Sequence, residues 1–278
     1  MYLQHFGLTE LPFSLTPDTQ FVFSHHGHQA ALNTALMALD GGEGFVKITG
    51  EVGTGKTLLC RRLLRALDPE RYVTAYVPNP NLDARTFYLA VAEELRLPLD
   101  AGLDDYHLLK EINQGLLTSA AAGKSVVLLI DEAQAMPRET LEAVRLLSNL
   151  ETEKRKLLQI VLFGQPELDA RLKAREVRQL LQRIAFHSEL GTLRASEVDL
   201  YLAHRLRVAG HRGDAIFPRR AASAIHAASR GTPRLINVLA HTSLLLAFGE
   251  GKARVATPHV RAAARDTEGS RRLPWWAW

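Results

Sequence analysis

The chain has 278 residues, 46% of them hydrophobic, enough to bury the core of one or two domains. Its single cysteine, Cys60, excludes an internal disulfide framework and fits a reducing compartment. The net charge is only +4, no apolar run approaches the ~20 residues of a membrane span, and no basic stretch followed by an apolar one opens the chain, so a cytoplasmic protein without a secretory signal is expected.

Five short runs rich in Val, Ile, Leu and Phe read as buried strands: 45–49, 72–77, 125–130, 159–163 and 184–190. The segments between them, at about 84–96, 105–121, 138–152 and 167–182, carry apolar residues at helical spacing. Continuous apolar strands separated by helices predict a parallel five-stranded sheet covered on both faces. After Leu193 the pattern changes to helices alone, at about 196–209, 218–229, 233–248 and 258–267, broken by glycines and by Gly231-Thr232-Pro233. The expected organisation is an α/β domain over 1–193 with an N-terminal arm, an all-helical lid over 194–268, and a tail over 269–278. Charge divides with the pattern: residues 1–190 carry −4 and residues 191–278 carry +8. A basic C-terminal region suits nucleic acid, an anionic membrane face or an acidic partner, and charge alone does not choose among them.

Residues 50–57 read G-E-V-G-T-G-K-T, a complete G-x-x-x-x-G-K-[ST] string placed after a strand and before a helix. Gly53 and Gly55 let the backbone curl so that successive N–H groups face an anion, and the helix N-terminus adds a favourable dipole. Gly50, Glu51, Val52, Gly53, Thr54, Gly55, Lys56, Thr57 and Leu58 are therefore the candidate nucleotide-binding residues. Lys56 is expected to reach the β and γ phosphates of ATP, and Thr57 to ligate Mg²⁺. The run S-V-V-L-L-I-D-E-A-Q at 125–134 ends a buried strand in two carboxylates, where open α/β sheets bind ligands. Asp131 suits the Mg²⁺ shell and Glu132 suits polarising the attacking water, although such a pair also caps helices. Three more residues are candidates: Gln165 after the fourth strand, Arg183 before the fifth, and Arg234 in G-T-P-R. An Arg stabilises charge spread over phosphoryl oxygens, but spacing alone equally permits Arg183 and Arg234 to be solvated surface charges.

The order of phosphate loop, D-E, strand-end polar residue, Arg before the fifth strand and G-x-P-R in a helical lid resembles the AAA+ ATPases. Narrower strings carry a narrower likeness: M-Y-L-Q-H-F-G-L-T-E-L-P-F-S-L-T-P-D at 1–18, I-D-E-A-Q-A at 130–135, the segment 150–168 ending in G-Q-P-E-L, L-L-Q-R-I at 180–184 and S-R-G-T-P-R-L-I-N at 229–237. Over almost its whole length the chain resembles the secretion ATPases of the ExeA/GspA type, and among them the MshM type of mannose-sensitive haemagglutinin pilus biogenesis. The resemblance implies MgATP hydrolysis by a homo-oligomeric ring or filament that works on protein components of a pilus or type II secretion machine at the inner membrane. It places Gln165 at sensor 1, Arg183 as an arginine finger acting on a neighbour's ATP, and Arg234 at sensor 2 in cis. Many AAA+ proteins have Asn, Ser or Thr at sensor 1, so Gln165 departs from the general pattern. The resemblance also brings the N-terminal segment near the adenine, with Phe6, Pro12 and Phe13 as base-pocket candidates; plain packing of the arm is the alternative.

A DNA-binding AAA+ regulator is the competing reading, favoured by the +8 region but lacking an appended helix-turn-helix. His25, His26 and His28 lack cysteine or carboxylate partners at metal-ligand spacing, and Cys60 reads as a small core residue. Trp275, Trp276 and Trp278 stand beside Arg271 and Arg272 in the tail, a composition suited to a membrane interface or to packing on the lid.

Overall fold

The computed structural model describes residues 2–16, 19–23, 26–98, 102–151, 156–174 and 177–273. The elements are α1 (Tyr2–His5), α2 (His26–Asp40), β1 (Phe45–Gly50), α3 (Lys56–Ala66), β2 (Tyr72–Val77), α4 (Ala84–Glu94), α5 (Asp105–Ala121), β3 (Ser125–Ile130), α6 (Arg138–Leu147), β4 (Leu158–Gly164), α7 (Glu167–Leu172), α8 (Arg178–Leu181), β5 (Phe186–Leu190), α9 (Ala195–Val208), α10 (Arg219–Ser229), α11 (Pro233–Gly249) and α12 (Thr257–Asp266). Two compact units arise, one from residues 27–52 and 59–190, the other from the described residues within Met1–His26, Gly53–Leu58 and Gly191–Trp278.

The first unit is built on a five-stranded parallel sheet in the order β2-β3-β4-β1-β5. The inner strands β1, β3 and β4 are almost wholly apolar because both of their faces are covered, and alternate residues enter different cores. The edge strand β5, with His187, Ser188 and Glu189, is mostly exposed. Phe45, Val126, Leu128, Ile160 and Leu162 join residues of α4 to α8 on one side. Val46, Ile48, Val127, Leu129 and Val161 join residues of α2 and α3 on the other. Lys47 interrupts β1 and is buried there, and the Asp169 carboxylate of α7 pairs with it. Such a charge is tolerable in a core only when a counter-charge compensates its lost hydration.

Sequence periodicity placed all five strands, but the ends of several helices differ. The stretch expected as one helix at 167–182 contains α7 and α8, and the helix expected to reach 152 stops at Leu147. Gly164 lies against Leu168, so the turn into α7 follows the strand immediately and leaves Gln165 at the strand's carboxyl end.

The second unit packs α9 to α12 around Val198, Leu202, Ile225, Ile236, Leu239 and Leu244. The N-terminal arm belongs to this core through Phe6, Leu8, Phe13 and Phe21. Arg205 of α9 secures it: Nε donates to the Pro12 carbonyl at 2.6 Å, and the guanidinium lies 4.6 Å from the Phe21 ring centre. Because Arg205 is buried, that carbonyl, the Ser14 carbonyl at 3.3 Å from Nη2 and the ring face stand in for its lost water. Leu273 packs against the same core and the Arg271 N–H donates to the Ala228 carbonyl at 2.8 Å. The three tail tryptophans, like His25 of the histidine cluster, lie outside the described residues.

Candidate functional site

All five strands run the same way, so their carboxyl ends share one edge of the sheet. At that edge β3, β4 and β1 are consecutive neighbours, spaced by about 4.8 Å each. The chain leaves β1 at Gly50 and enters α3 at Lys56. Between them Gly53 and Gly55 have φ of +81° and +96°, values that side-chain-bearing residues seldom adopt. Thr54 and Lys56 are buried, Thr57 and Leu58 lie half-buried in the first turn of α3, and Glu51 and Val52 are exposed. The first N–H groups of α3 have no carbonyl partner within the helix, and its dipole favours an anion at this end.

Gly53 is constrained a second way. Its carbonyl accepts the Arg234 N–H at 3.3 Å, and a Cβ at this position would lie 2.6 Å from the Arg234 Cβ. The G-T-P-R turn that opens α11 thus sits directly on the phosphate loop. Arg234 itself is exposed. Gly231 of that turn allows the same kind of approach: it has φ of +76°, and a Cβ there would meet the Leu193 carbonyl. Gly53→Ala is expected to lower stability by about 1–2 kcal/mol from the left-handed backbone alone, and to weaken ATP binding by roughly tenfold. Urea unfolding with equilibrium nucleotide binding checks both.

A separate group of candidate residues lies at the ends of β3 and β4. Asp131 is buried; its N–H donates to the Val77 carbonyl at 3.0 Å and its Oδ1 accepts the Glu132 N–H at 2.9 Å. Glu132 takes φ of 50° and ψ of 38°, a left-handed conformation that is strained for a residue with a side chain. Its carboxylate Oε2 accepts from Gln134 Nε2 at 2.5 Å and from Gln165 Nε2 at 3.4 Å. Gln134 Oε1 in turn accepts the Gln165 backbone N–H at 2.9 Å. Under this edge lies Cys60, whose thiol pKa is pushed up by burial and further by the charge of Asp131, so it is an inert core group.

Comparison with known proteins identifies the domain that carries the phosphate loop. The sequence profile described as "AAA domain" matches residues 39–172. An AAA domain is therefore present in the chain. Along 98% of its length this AAA chain is 42% identical to General secretion pathway protein A of Aeromonas hydrophila, of which it spans about half, 49%. Among solved structures the AAA chain is similar to the ORC2 protein of Aeropyrum pernix in its ADPNP–ADP complexes, with a TM-score of 0.66 and 17% identity over 93% of this chain and 73% of that one. It is also similar to the RuvB Holliday junction branch migration motor of Thermotoga maritima, with a TM-score of 0.58 and 18% identity over 89% and 73% of the two chains. At such identities the two structures establish the fold.

Within the AAA chain, the candidate residues therefore fall into three groups. Glu132 and Gln165 meet through one hydrogen-bonded cluster beside Asp131, and Arg234 stands on the phosphate loop. Arg183 lies elsewhere. It precedes β5 at the amino edge of the sheet, where Nη1 donates to the Ser148 carbonyl at 2.9 Å. From Phe186 opposite Val46 to Leu190 opposite Gly50, the strand separates the two edges by about 13 Å. Phe6 and Phe13 are buried in the helical core, the Phe13 ring standing edge-on to Phe217 at 5.8 Å, and Pro12 supplies a carbonyl to Arg205.

Sequence reasoning assigned no role to Gln134 or Arg171. Arg171 donates from Nη1 to the Gln134 carbonyl and from Nη2 to the Met136 carbonyl. The signal was present in D-E-A-Q, but a Gln two residues beyond a carboxylate pair is ordinary in a turn. Only the adjacency of β3 and β4 brings it to Gln165.

Proposed function

We propose that this AAA chain binds ATP with Mg²⁺ and hydrolyses it, as an oligomer in which Arg183 of one subunit acts on the ATP of the next. The observation that carries the reading is the separation just described. The phosphate loop, Asp131, Glu132 and Gln165 follow the carboxyl ends of β1, β3 and β4, while Arg183 stands at the amino edge of β5. An arginine so placed serves phosphate chemistry through a neighbouring copy.

The residues fit the group they would hold. Gly53 and Gly55 supply the left-handed backbone of an anion cradle, and Lys56 brings a buried cation to it. Thr57 and Asp131 would hold Mg²⁺, which when bound neutralises charge on the phosphate oxygens. Glu132 accepts a proton from the attacking water, Gln165 keeps Glu132 and the γ-phosphate end in register, and Arg234 reports phosphate occupancy to the helices that follow it. In this reading the α/β domain through residue 193 carries the chemistry and the lid from 194 carries the movement.

The work so driven is assembly or regulation of an envelope machine, a type II secretion system or an MSHA-like pilus, with a place in the cytoplasm or at the inner-membrane surface. Support comes from the 42% identity to General secretion pathway protein A. The test is ATP turnover against protein concentration. Turnover per subunit should rise with concentration to a plateau and vanish when EDTA removes Mg²⁺. A specific activity independent of concentration, down to the lowest measurable level, contradicts an active site completed by a neighbour. Salt-sensitive binding to duplex DNA, steep between 50 and about 200 mM salt, would instead favour a DNA-acting AAA protein using its +8 C-terminal region.

A further inference from the structure

We propose that Gln134 is a positioning residue for hydrolysis: it holds the Glu132 carboxylate in one orientation and ties that orientation to the end of β4. The inference rests on the assignment of Glu132 as the group that takes the water's proton.

Glu132 needs such a device. It is half-buried at a left-handed turn, and its three side-chain torsions would otherwise leave the carboxylate free to sample many positions. Two amide donors, Gln134 Nε2 at 2.5 Å and Gln165 Nε2 at 3.4 Å, meet at the same oxygen, Oε2. The shorter contact is a charge-assisted hydrogen bond, so Gln134 is the dominant holder. Among the described residues no side chain donates to Oε1, which remains the oxygen available to a water.

Gln134 is itself fixed on every side. Its Oε1 accepts the Gln165 N–H at 2.9 Å, and its main-chain carbonyl accepts from Arg171 of α7. Gly164 preserves the seat: a Cβ there would stand 3.3 Å from Gln134 Oε1 and 2.7 Å from Leu168 Cδ2. Both ends of one amide are thus used, one on the carboxylate after β3 and the other on the backbone after β4. A shift of Gln165 toward or away from a γ-phosphate would pull directly on Gln134 and so on Glu132. Gln165 touches the carboxylate only weakly by itself, at 3.4 Å, so the coupling runs mainly through Gln134.

Four proteins test this: the unaltered chain, Gln134→Leu, Glu132→Gln and the double variant. Gln134→Leu keeps the volume and removes the amide. Its kcat should fall roughly 10- to 100-fold, as expected for a displaced reacting group, with ATP affinity within about twofold. In the Glu132→Gln background the same change should cost less than about twofold, because the residue acts through Glu132. In nucleotide-free protein, the Gln134 side-chain amide protons should move upfield when Glu132→Gln removes the charged acceptor. An unaltered kcat for Gln134→Leu overturns the proposal, as does a loss that adds in full to that of Glu132→Gln, or unmoved amide signals. Full turnover by Glu132→Gln alone would instead remove the hydrolysis assignment on which the proposal stands.

Discussion

Arg183→Ala is expected to lower ATP turnover about 10³-fold or more while leaving ATP affinity nearly unchanged, the effect of removing an arginine that stabilises transition-state charge. The position of the residue makes the prediction specific. Arg183 precedes β5, whose pairing with β1 runs from Val46–Phe186 to Gly50–Leu190, so the whole strand separates Arg183 from the loop that begins at Gly50. The loss should therefore be repairable from outside. Lys56→Ala retains Arg183 but has lost its phosphate-loop cation, and Arg183→Ala retains Lys56. In an equal random mixture of the two, about a quarter of head-to-tail interfaces combine an intact loop with an intact neighbouring arginine, and activity should return to that order. Arg183→Lys should recover little, because a single ammonium cannot reproduce the planar fork. Loss of the 2.9 Å hydrogen bond to the Ser148 carbonyl gives a separate, structural contribution of about 1 kcal/mol, visible in thermal unfolding. Full activity of Arg183→Ala, or no recovery on mixing, contradicts the assignment.

Glu132→Gln should lose about 10²- to 10³-fold in single-turnover hydrolysis and still bind ATP, since general-base catalysis supplies a factor of that size. The surroundings make the substitution a clean one. Residue 132 stays in a left-handed conformation with either side chain, so the backbone strain is common to both proteins. The Gln134 and Gln165 amides both donate to Oε2, and the carbonyl oxygen of a glutamine can accept the same bonds. Only the proton-accepting carboxylate is removed. Quench-flow hydrolysis beside equilibrium binding separates the two effects; parallel losses in binding and turnover would mean that the change had disturbed the site as a whole.

How much of this was legible beforehand follows from the range of the forces involved. The phosphate loop was readable because its requirements are local: two glycines with positive φ, a lysine and a hydroxyl in one turn between a strand and a helix. The inner strands were readable because both faces of a covered parallel sheet demand apolar residues, as the runs of β1, β3 and β4 show, while the edge strand β5 carries a weaker, half-polar signal. Helix ends were less so. The stretch at 167–182 has a helical pattern throughout, yet α7 ends at Leu172 and α8 starts at Arg178, because packing on the sheet overrides a uniform local preference.

By itself, then, the sequence determined the sheet, the succession of helices after Leu193, and the residue types of the candidate phosphate site. It did not determine which of those residues meet. Strand order β2-β3-β4-β1-β5 is a property of long-range pairing, and only that order sets the end of β3 beside the end of β4. That adjacency turns Gln134 from a turn residue into the link between Glu132 and Gln165. The same holds for the arm: its pattern of Phe6, Leu8 and Phe13 suits any apolar surface, and the buried Arg205, with its demand for carbonyl acceptors, selects the helical core. Local sequence fixes what a segment can satisfy, whereas the choice of partner waits until distant groups compete for the same buried space.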